Sequence, residues 1–300
     1  MNADSAGGSR QNRGAGMLFA LAGFALLSCG DGLIKSMAGQ WPGMAVAALR
    51  FTLGAIGLGV VLLLREGPQG FRFPRPRVQL ARGFFLAGAT VTFFSSIFLM
   101  PLATATSIQF MAPLLTAVIS SILYKERLSP GRWIATLIAF GGVMIVLRPS
   151  FADFGWAALL PLAAAFGMSG LMISNAKAAG SGSVLLMQFL VAAVAAPLLI
   201  LYAALGHFSG IPSLHVTWPS AYVVFICATV AVSASFSHMF VYLATARSSA
   251  ATVAPMVYVQ IIVAIAIGVA FYRDYPDLVA LAGTGVIIAC GIYLLRDGRK

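Results

Sequence analysis

Long apolar, uncharged stretches alternate with short clusters of charged residues along almost the whole chain. An α-helix needs about 20 apolar residues to cross roughly 30 Å of hydrocarbon. Lipid offers the backbone no hydrogen-bond partners, so each stretch of that length is expected to be helical. The pattern predicts ten membrane-spanning helices, at about residues 17–36, 44–64, 83–101, 104–123, 133–148, 155–174, 184–205, 219–243, 248–271 and 278–295.

The composition excludes a soluble protein of the same length. Hydrophobic residues make up 60% of the 300 residues and charged residues only 9%, and soluble domains carry about 25% charged residues. The net charge of +11 would suit nucleic-acid binding, but a membrane topology explains it better. Three cysteines lie far apart within apolar stretches, without metal-ligand spacing. We therefore expect no metal site, cofactor or nucleic-acid partner.

Lys and Arg are distributed unevenly between the loops. Cytoplasmic loops retain positive charge, and an inside N-terminus leaves only Arg148 and Arg273 in outer loops, with Lys35 and Arg50 inside helices. The cytoplasmic segments then hold the other fifteen: Arg10, Arg13, Arg65, Arg72, Arg75, Arg77, Arg82, Lys125, Arg127, Arg132, Lys177, Arg247, Arg296, Arg299 and Lys300. This split predicts that both termini are cytoplasmic.

An internal repeat divides the predicted helices into two groups of five. The segments Ala-Thr-Ala, Ala-Pro and Tyr-Lys-Glu recur in order as Ala-Thr-Ala, Ala-Pro and Tyr-Arg-Asp, at 103–105, 112–113 and 124–126 and again at 244–246, 254–255 and 272–274. We expect a cytoplasmic tail at 1–15, repeats at 16–149 and 150–296, and a second tail at 297–300. Chance similarity of apolar segments is the alternative. Five helices per unit force opposite orientations, which is typical of secondary transporters.

Three charged residues lie within the predicted spans, namely Asp31, Lys35 and Arg50. Charges in hydrocarbon are costly unless paired or hydrated, and they mark functional paths. Asp31 and Lys35 are four residues apart on one helix, so we expect them to pair. Arg50 lies at a similar depth on the next helix. The hypothesis is a carboxylate-recognising site or gate of net charge +1, against a structural salt bridge whose cations extend to the interface.

Uncharged polar residues accompany two prolines in the fourth and ninth spans. Tyr258 and Gln260 follow Pro255, and Gln109 precedes Pro113. A proline removes one backbone hydrogen bond and loosens the helix, so both prolines are predicted hinges. Tyr258, Gln260 and Gln109 are candidate ligand contacts, with hydrogen bonding between helices as the alternative. Two weaker candidates lie elsewhere in the spans: Gln188 and His238.

Parts of the sequence are compatible with two other function classes. Gly167-Met168-Ser169-Gly170 fits the GxSG pattern of intramembrane serine proteases, with His238 as a possible base. Small residues at this spacing more commonly allow close helix packing, so we expect no enzyme. A passive channel would also use polar residues in membrane helices. No GxxxxGK[ST] sequence is present, which argues against ATP-driven pumping by this chain alone.

The chain resembles the drug/metabolite transporter superfamily, in its ten-helix branch of two EamA-type repeats. In the second half the similarity rests on Ala254-Pro255, Tyr258, Gln260, Gly268, residues 271–277, Gly283, Ile287, Gly291, Tyr293 and Arg296. In the first half it rests on Asp31, Lys35, Leu49-Arg50, Arg82, Pro113-Leu114 and Glu126-Arg127-Leu128. The chain departs from the pattern at Asp274, where Glu is commoner, and at Ala135, where Gly is common.

The Asp-Lys pair and the Ala-Pro-x-x-Tyr pattern are most similar to a proteobacterial subgroup. That subgroup includes S-adenosylmethionine importers, riboflavin importers and opine-metallophore exporters. The resemblance implies a multi-pass transporter of the bacterial inner membrane for a small carboxylate-bearing metabolite. Amino-acid-like, nucleoside-like and opine-like compounds are the expected classes. Export is the expected direction and import of a vitamin or nucleoside-type compound the alternative, with a coupled proton and a homodimer as further possibilities.

Overall fold

The computed structural model describes residues 4–124, 130–247 and 254–297, which are helical apart from short connections. The α-helices are α1 Asp4–Lys35, α2 Gly43–Glu66, α3 Pro76–Leu99, α4 Leu102–Gln109, α5 Ala112–Tyr124, α6 Pro130–Phe154, α7 Leu160–Ala178, α8 Val184–His207, α9 Ala221–Arg247, α10 Val259–Ile267 and α11 Leu278–Asp297. Short 3₁₀ turns cover Pro68–Gly70, Gly155–Leu159, Pro212–Leu214 and Ala254–Tyr258, and a π-helical turn covers Gly268–Tyr272.

The helices agree with ten membrane crossings. In the described residues seven helical spans are long and apolar enough to cross a bilayer, and three shorter apolar helices cover the fifth, ninth and tenth predicted spans. The fourth span consists of α4 and α5, which are separated by a break at Phe110 and Met111. The ninth consists of the 3₁₀ turn, α10 and the π-helical turn. The expected all-α membrane fold is therefore confirmed.

Helix bounds differ from the predicted ones at two places that matter for charge. Helix α1 already begins at Asp4, within the predicted tail, and α3 begins at Pro76 rather than near residue 83. Arg82, expected at the end of a cytoplasmic loop, therefore lies in α3 and is buried. The motif residues Lys125 and Glu126 of the first repeat lie outside the described residues, as do residues 248–253 of the ninth span and 298–300 of the tail.

Helix pairing has the symmetry expected of two inverted units. Helix α1, first in its unit, packs on α9, third in the other unit, and α7 packs on α3 in the same manner. The second helices of the two units, α2 and α8, pack on each other, and so do the fifth helices, α6 and α11. This arrangement supports the two predicted repeats, whose boundaries remain a prediction.

Small residues permit the closest of these approaches. A Cβ atom added at Gly23 of α1 would lie 2.9 Å from the carbonyl oxygen of Ser237 in α9, and one added at Gly167 of α7 would lie 2.9 Å from Ala89 in α3. Gly142 of α6 and Gly283 of α11 face each other, since a Cβ at either would lie 3.0 Å or less from the other's carbonyl oxygen. Backbones approach closely where such residues meet.

Loops that the charge pattern assigns to one side of the membrane lie together. Arg75, just before α3, donates to the carbonyl oxygen of Lys177 at the end of α7, and both were assigned to the cytoplasm. Trp41, just before α2, donates from Nε1 to the carbonyl oxygen of Thr217 before α9 at 2.9 Å, and both were assigned to the outside. The relative sidedness of these loops agrees with the predicted topology.

Candidate functional site

Lys35 forms a salt bridge with a residue of the second half of the chain. Its Nζ lies 2.7 Å from Oδ2 of Asp274, and the two side chains are only 11% and 20% exposed. The predicted pairing of Lys35 with Asp31 is wrong, because the neighbouring segment after the π-helical turn brings Asp274 within closer reach. The predicted site of net charge +1 therefore loses Lys35, whose charge Asp274 neutralises.

Further contacts hold the same end of α1 in place. Lys35 Nζ also donates to the carbonyl oxygen of Met100 at the end of α3, at 2.9 Å. The hydroxyl of Tyr272 donates to the carbonyl oxygen of Gly32 at 2.6 Å, and Lys35 Nζ lies 5.3 Å from the centre of the Tyr272 ring. We call Lys35, Asp274, Met100, Tyr272 and Gly32 the outer latch, since the charge pattern assigns this end to the outside. It joins the first, third and ninth spans.

Arg50 is the second cation within a membrane-spanning helix, and among the described residues no carboxylate forms a salt bridge with it. It lies in α2, half-buried, and its Nε is buried without a hydrogen-bond partner. Asp31 of α1 is also half-buried and interacts with Arg50 electrostatically, but no hydrogen bond joins the two. The structure therefore brings Arg50 and Asp31 into one electrostatic environment without letting them neutralise each other by contact.

Aromatic rings and two further side chains surround Arg50. The guanidinium carbon lies 4.7 Å from the ring centre of Phe51 and 5.8 Å from that of Phe94. Such contacts stabilise a cation by about 0.5–2 kcal/mol, more when water is excluded. His238 and Cys227, both in α9, are close enough to Arg50 to interact with its charge. His238 thus belongs to the surroundings of Arg50.

The two helix interruptions face each other. Phe110 lies in the break just after α4, and Tyr258 ends the 3₁₀ turn before α10, with their ring centres 5.5 Å apart. Pro113 lies just after the first break, and Pro255 lies within the 3₁₀ turn. Interrupted membrane helices commonly form the substrate site of transporters with inverted repeats. The hinge role of the two prolines stays a prediction.

Other predicted candidates are distributed more widely. Gln109 ends α4 and is half-buried, beside the break. The backbone carbonyl oxygen of Gln260 accepts a hydrogen bond from the Ser28 hydroxyl of α1 at 2.9 Å, which ties α1 to α10. Gln188 lies near the beginning of α8, one residue after Met187, whose carbonyl oxygen accepts from Arg82 at 3.2 Å. Gln188 is therefore far in sequence from the helix breaks and lies on a different helix.

Arg82 and two hydroxyl groups are further polar side chains inside the bundle. Arg82 is hydrogen-bonded by Nε to Oδ1 of Asn175 at 2.7 Å and by Nη1 to Oε1 of Gln79 at 2.5 Å. In contrast, the hydroxyls of Thr106 and Tyr258 are buried without a partner. The sequence predicted Tyr258 but missed Thr106 and the role of Asp274. The recurrence of Tyr-Lys-Glu as Tyr-Arg-Asp and the family pattern both pointed to the position of Asp274, but neither predicted its partner.

The GxSG residues have a packing role. The Ser169 hydroxyl donates to the carbonyl oxygens of Ala112 and Ala165, at 2.8 and 3.0 Å. Added Cβ atoms at Gly167 and Gly170 would collide with Ala89 and Phe85 of α3. These residues therefore let α7 approach α3.

Known proteins similar to this chain are transporters. Residues 14–148 match the EamA-like transporter family. An S-adenosylmethionine uptake transporter of Rickettsia prowazekii is 25% identical over 95% of this chain and 94% of its own length. The pseudopaline exporter CntI of Pseudomonas aeruginosa is 23% identical over 94% and 96%. A riboflavin transporter of Vibrio cholerae is 30% identical over 42% of each chain.

A solved crystal structure shares the fold. It aligns with 94% of this chain and 98% of its own with a TM-score of 0.62 and 22% identity. The family match covers the first predicted repeat, while the relatives and the solved structure extend over both. The chain is therefore a membrane transporter, not an enzyme, and over residues 14–148 it is similar to the EamA-like transporter family.

Proposed function

We propose that this chain is a secondary transporter of the bacterial inner membrane for a small metabolite that carries a carboxylate. The observation that carries the proposal is the state of Arg50, whose buried Nε has no hydrogen-bond partner. A guanidinium presents a planar set of donors that matches a carboxylate in two parallel hydrogen bonds. A substrate carboxylate would supply the missing acceptor.

Asp31 narrows the substrate class to amino-acid-like compounds. An embedded carboxylate and an embedded cation that interact without a hydrogen bond leave each other's polar atoms free for a ligand. A zwitterionic head group would place its carboxylate against Arg50 and its ammonium against Asp31, so that both protein charges gain partners. Such complementarity offsets the cost of keeping charges inside a membrane.

The names of the full-length relatives agree with this class. S-adenosylmethionine, for which the Rickettsia relatives are named, has an amino-acid head with both charges. The pseudopaline exporter is named for a different compound and for the opposite direction. An alternating-access carrier binds its substrate from either side, so the gradients decide the net flux. Export remains the direction expected from the sequence, and uptake of a vitamin or nucleoside-type compound remains the second candidate.

The test is to replace Arg50 and measure transport in proteoliposomes. Arg50→Ala should insert normally but reduce counterflow of labelled S-adenosylmethionine or of a transported amino acid by about a hundredfold or more, because two charge-assisted hydrogen bonds contribute about 1.5–3 kcal/mol each. Arg50→Lys should restore little, since an ammonium cannot bind both carboxylate oxygens in one plane.

Arg247→Ala is the matched control. Arg247 also stacks on a phenylalanine, with its guanidinium carbon 5.0 Å from the Phe19 ring centre, but it lies at the end of α9. Its replacement should leave counterflow within about twofold of the unaltered chain, as expected for a residue at a helix end. Full activity of Arg50→Ala would remove Arg50 from the site. Saturable counterflow would also exclude a passive channel, which shows none.

A further inference from the structure

Within the described part of the membrane-spanning bundle, two buried hydroxyl groups have no hydrogen-bond partner. They belong to Thr106, which is 3% exposed, and to Tyr258, which is 5% exposed. A buried polar group without a partner costs roughly 1–3 kcal/mol. In a native structure such a group therefore needs an explanation, and a role in ligand binding is one.

Neighbouring hydroxyls show that the helices themselves could have satisfied these groups. Ser107 donates to the carbonyl oxygen of Ala103 at 2.8 Å and is joined to Thr284 at 3.0 Å. Thr116 donates to the carbonyl oxygen of Ala112 at 2.7 Å. Thr and Ser in membrane helices commonly bond back to the preceding turn in this way. Thr106 does not, although it lies beside Ser107 on the same short helix.

The two free hydroxyls lie at the junction of three helices. Helices α1, α4 and α10 contact one another in pairs. Thr106 precedes Phe110 by one helical turn, and the Phe110 ring contacts the Tyr258 ring. On α1, Ser28 bonds to the Gln260 carbonyl oxygen, and Asp31 lies one turn further toward the outer latch. At 1.5 Å per residue, Tyr258 is therefore several ångströms deeper than Asp31.

We propose that Thr106 and Tyr258 form a second subsite, which binds an uncharged, hydrogen-bonding ring of the substrate while Arg50 and Asp31 hold its head group. This proposal rests on the proposed function and adds the chemistry of the substrate's other end. Hydroxyls can donate to or accept from a ring heteroatom or ring hydroxyl without the cost of burying a charge. Phe110 adds an aromatic surface, against which a flat ring packs well.

The position of the subsite explains why it is closed in this structure. Thr106 lies one helical turn before the break in the fourth span, Tyr258 lies just before α10, and the rings of Phe110 and Tyr258 already touch. A ring-bearing substrate would separate these two rings, and the interrupted helices are the elements able to yield. Binding of the ring would thus be linked to movement of α4 against α10.

The first arm of the test measures thermal stability without any substrate. Thr106→Val and Tyr258→Phe remove only a hydroxyl, so both should melt at the temperature of the unaltered chain or about 2–4 °C above it. Thr284→Val removes a bonded hydroxyl and should melt lower. A decrease in melting temperature for Thr106→Val and Tyr258→Phe would mean that these hydroxyls are structural, and it would overturn the proposal.

The second arm measures stabilisation by tyrosine, by leucine and by adenosine. Tyrosine should bind the unaltered chain about tenfold more tightly than leucine, and Thr106→Val and Tyr258→Phe should abolish that preference while leaving leucine binding unchanged. Thr116→Val, whose hydroxyl is satisfied within its own helix, should keep the preference. Retention of the preference in both site variants would overturn the subsite.

Adenosine separates failure of the subsite from failure of the head-group proposal. It has a polar ring but no carboxylate, so Arg50→Ala should not affect its binding. If neither amino acid stabilises the unaltered chain, the head-group proposal fails. Stabilisation by adenosine that is lost in Thr106→Val and Tyr258→Phe would then still support the ring subsite, and its absence would overturn it.

Discussion

Asp31, Lys35 and Arg50 are all charged side chains within membrane-spanning helices, yet the residues around them give them different roles. Lys35 is neutralised by Asp274 and bonded to the Met100 carbonyl oxygen. Arg50 keeps an unpartnered donor and stacks on two aromatic rings. A cation whose charge is paired stabilises the fold, whereas a cation with an unpartnered donor can bind a ligand.

At the residue scale, Asp31 is predicted to couple transport to protons. A substrate carboxylate at Arg50 would compete with Asp31 for the same cation, so substrate occupancy and protonation of Asp31 are linked. Asp31→Asn should therefore fold but lose the response of transport to an imposed pH gradient in proteoliposomes. If substrate and proton move together, an inward proton gradient would drive uptake. The measured direction of transport therefore also tests the expected export.

A control carboxylate lies outside the site. Asp277 accepts a hydrogen bond from the backbone amide of Ala280 at 2.5 Å at the beginning of α11, and asparagine can serve as a helix cap equally well. Asp277→Asn should keep the gradient response. An undiminished response in well-folded Asp31→Asn would exclude Asp31 as the coupling group.

At the scale of elements, the ends of α1, α3 and the ninth span are joined by the outer latch. Its salt bridge and one of its hydrogen bonds link residues more than 200 positions apart. Arg273, next to Asp274, adopts left-handed backbone dihedrals with φ of 56°, which turns the chain sharply after the π-helical turn. This turn directs Asp274 back toward Gly268, whose carbonyl oxygen accepts from the Asp274 amide at 2.9 Å.

The outer latch is predicted to hold the transporter closed to the outside. Lys35→Ala and Asp274→Ala should each increase about tenfold the rate at which an impermeant thiol reagent labels a cysteine at position 106 from outside, because loss of one partner of a shielded ion pair costs a few kcal/mol. The exchange Lys35→Asp with Asp274→Lys should restore part of the closure. It cannot restore the bond to the Met100 carbonyl oxygen.

Arg273→Asn is the control for this experiment. It changes a charge beside Asp274 at an exposed position and retains a residue that tolerates left-handed dihedrals. Labelling of position 106 should be unchanged. Equal labelling rates in Lys35→Ala, Asp274→Ala and the parent chain would show that the salt bridge does not control access.

At the scale of the whole molecule, the pairing of helices follows one symmetry. The first helix of each unit packs on the third helix of the other unit. The two second helices pack on each other, and so do the two fifth helices. The loop before α3 lies against the end of α7, and the loop before α2 lies against the segment before α9. An inverted arrangement of two similar units produces these matched contacts, and rocking of such units is the usual basis of alternating access.

The topology is predicted to place both termini in the cytoplasm. In a chain without its native cysteines, single cysteines at Gln69 and Gly298 should react only with reagent on the cytoplasmic side. A cysteine at His207, at the end of α8, should react only from outside. Reaction of positions 69 and 207 from the same side would contradict the ten-helix assignment.

The number of spans, the class of protein and three of the embedded charges, Asp31, Lys35 and Arg50, could be obtained from the sequence. Each depends on local properties, namely the length of apolar stretches and the places where charge interrupts them, and lipid leaves the backbone only one way to satisfy its hydrogen bonds. The breaks at Pro113 and Pro255 were also predictable, because proline acts on its own helix. The start of α3 was misplaced since Arg82 has its partners, Asn175 and the Met187 carbonyl oxygen, in other helices.

Pairing between helices was decided by the tertiary structure alone. Local spacing favoured Asp31 as the partner of Lys35, but Asp274 lies 2.7 Å away because the ninth span packs against α1. The same packing brings Phe110 to Tyr258 and leaves Thr106 without an acceptor. The physical reason is that an ion pair or hydrogen bond acts over a few ångströms, and residues far apart in sequence come that close only once the helices have packed.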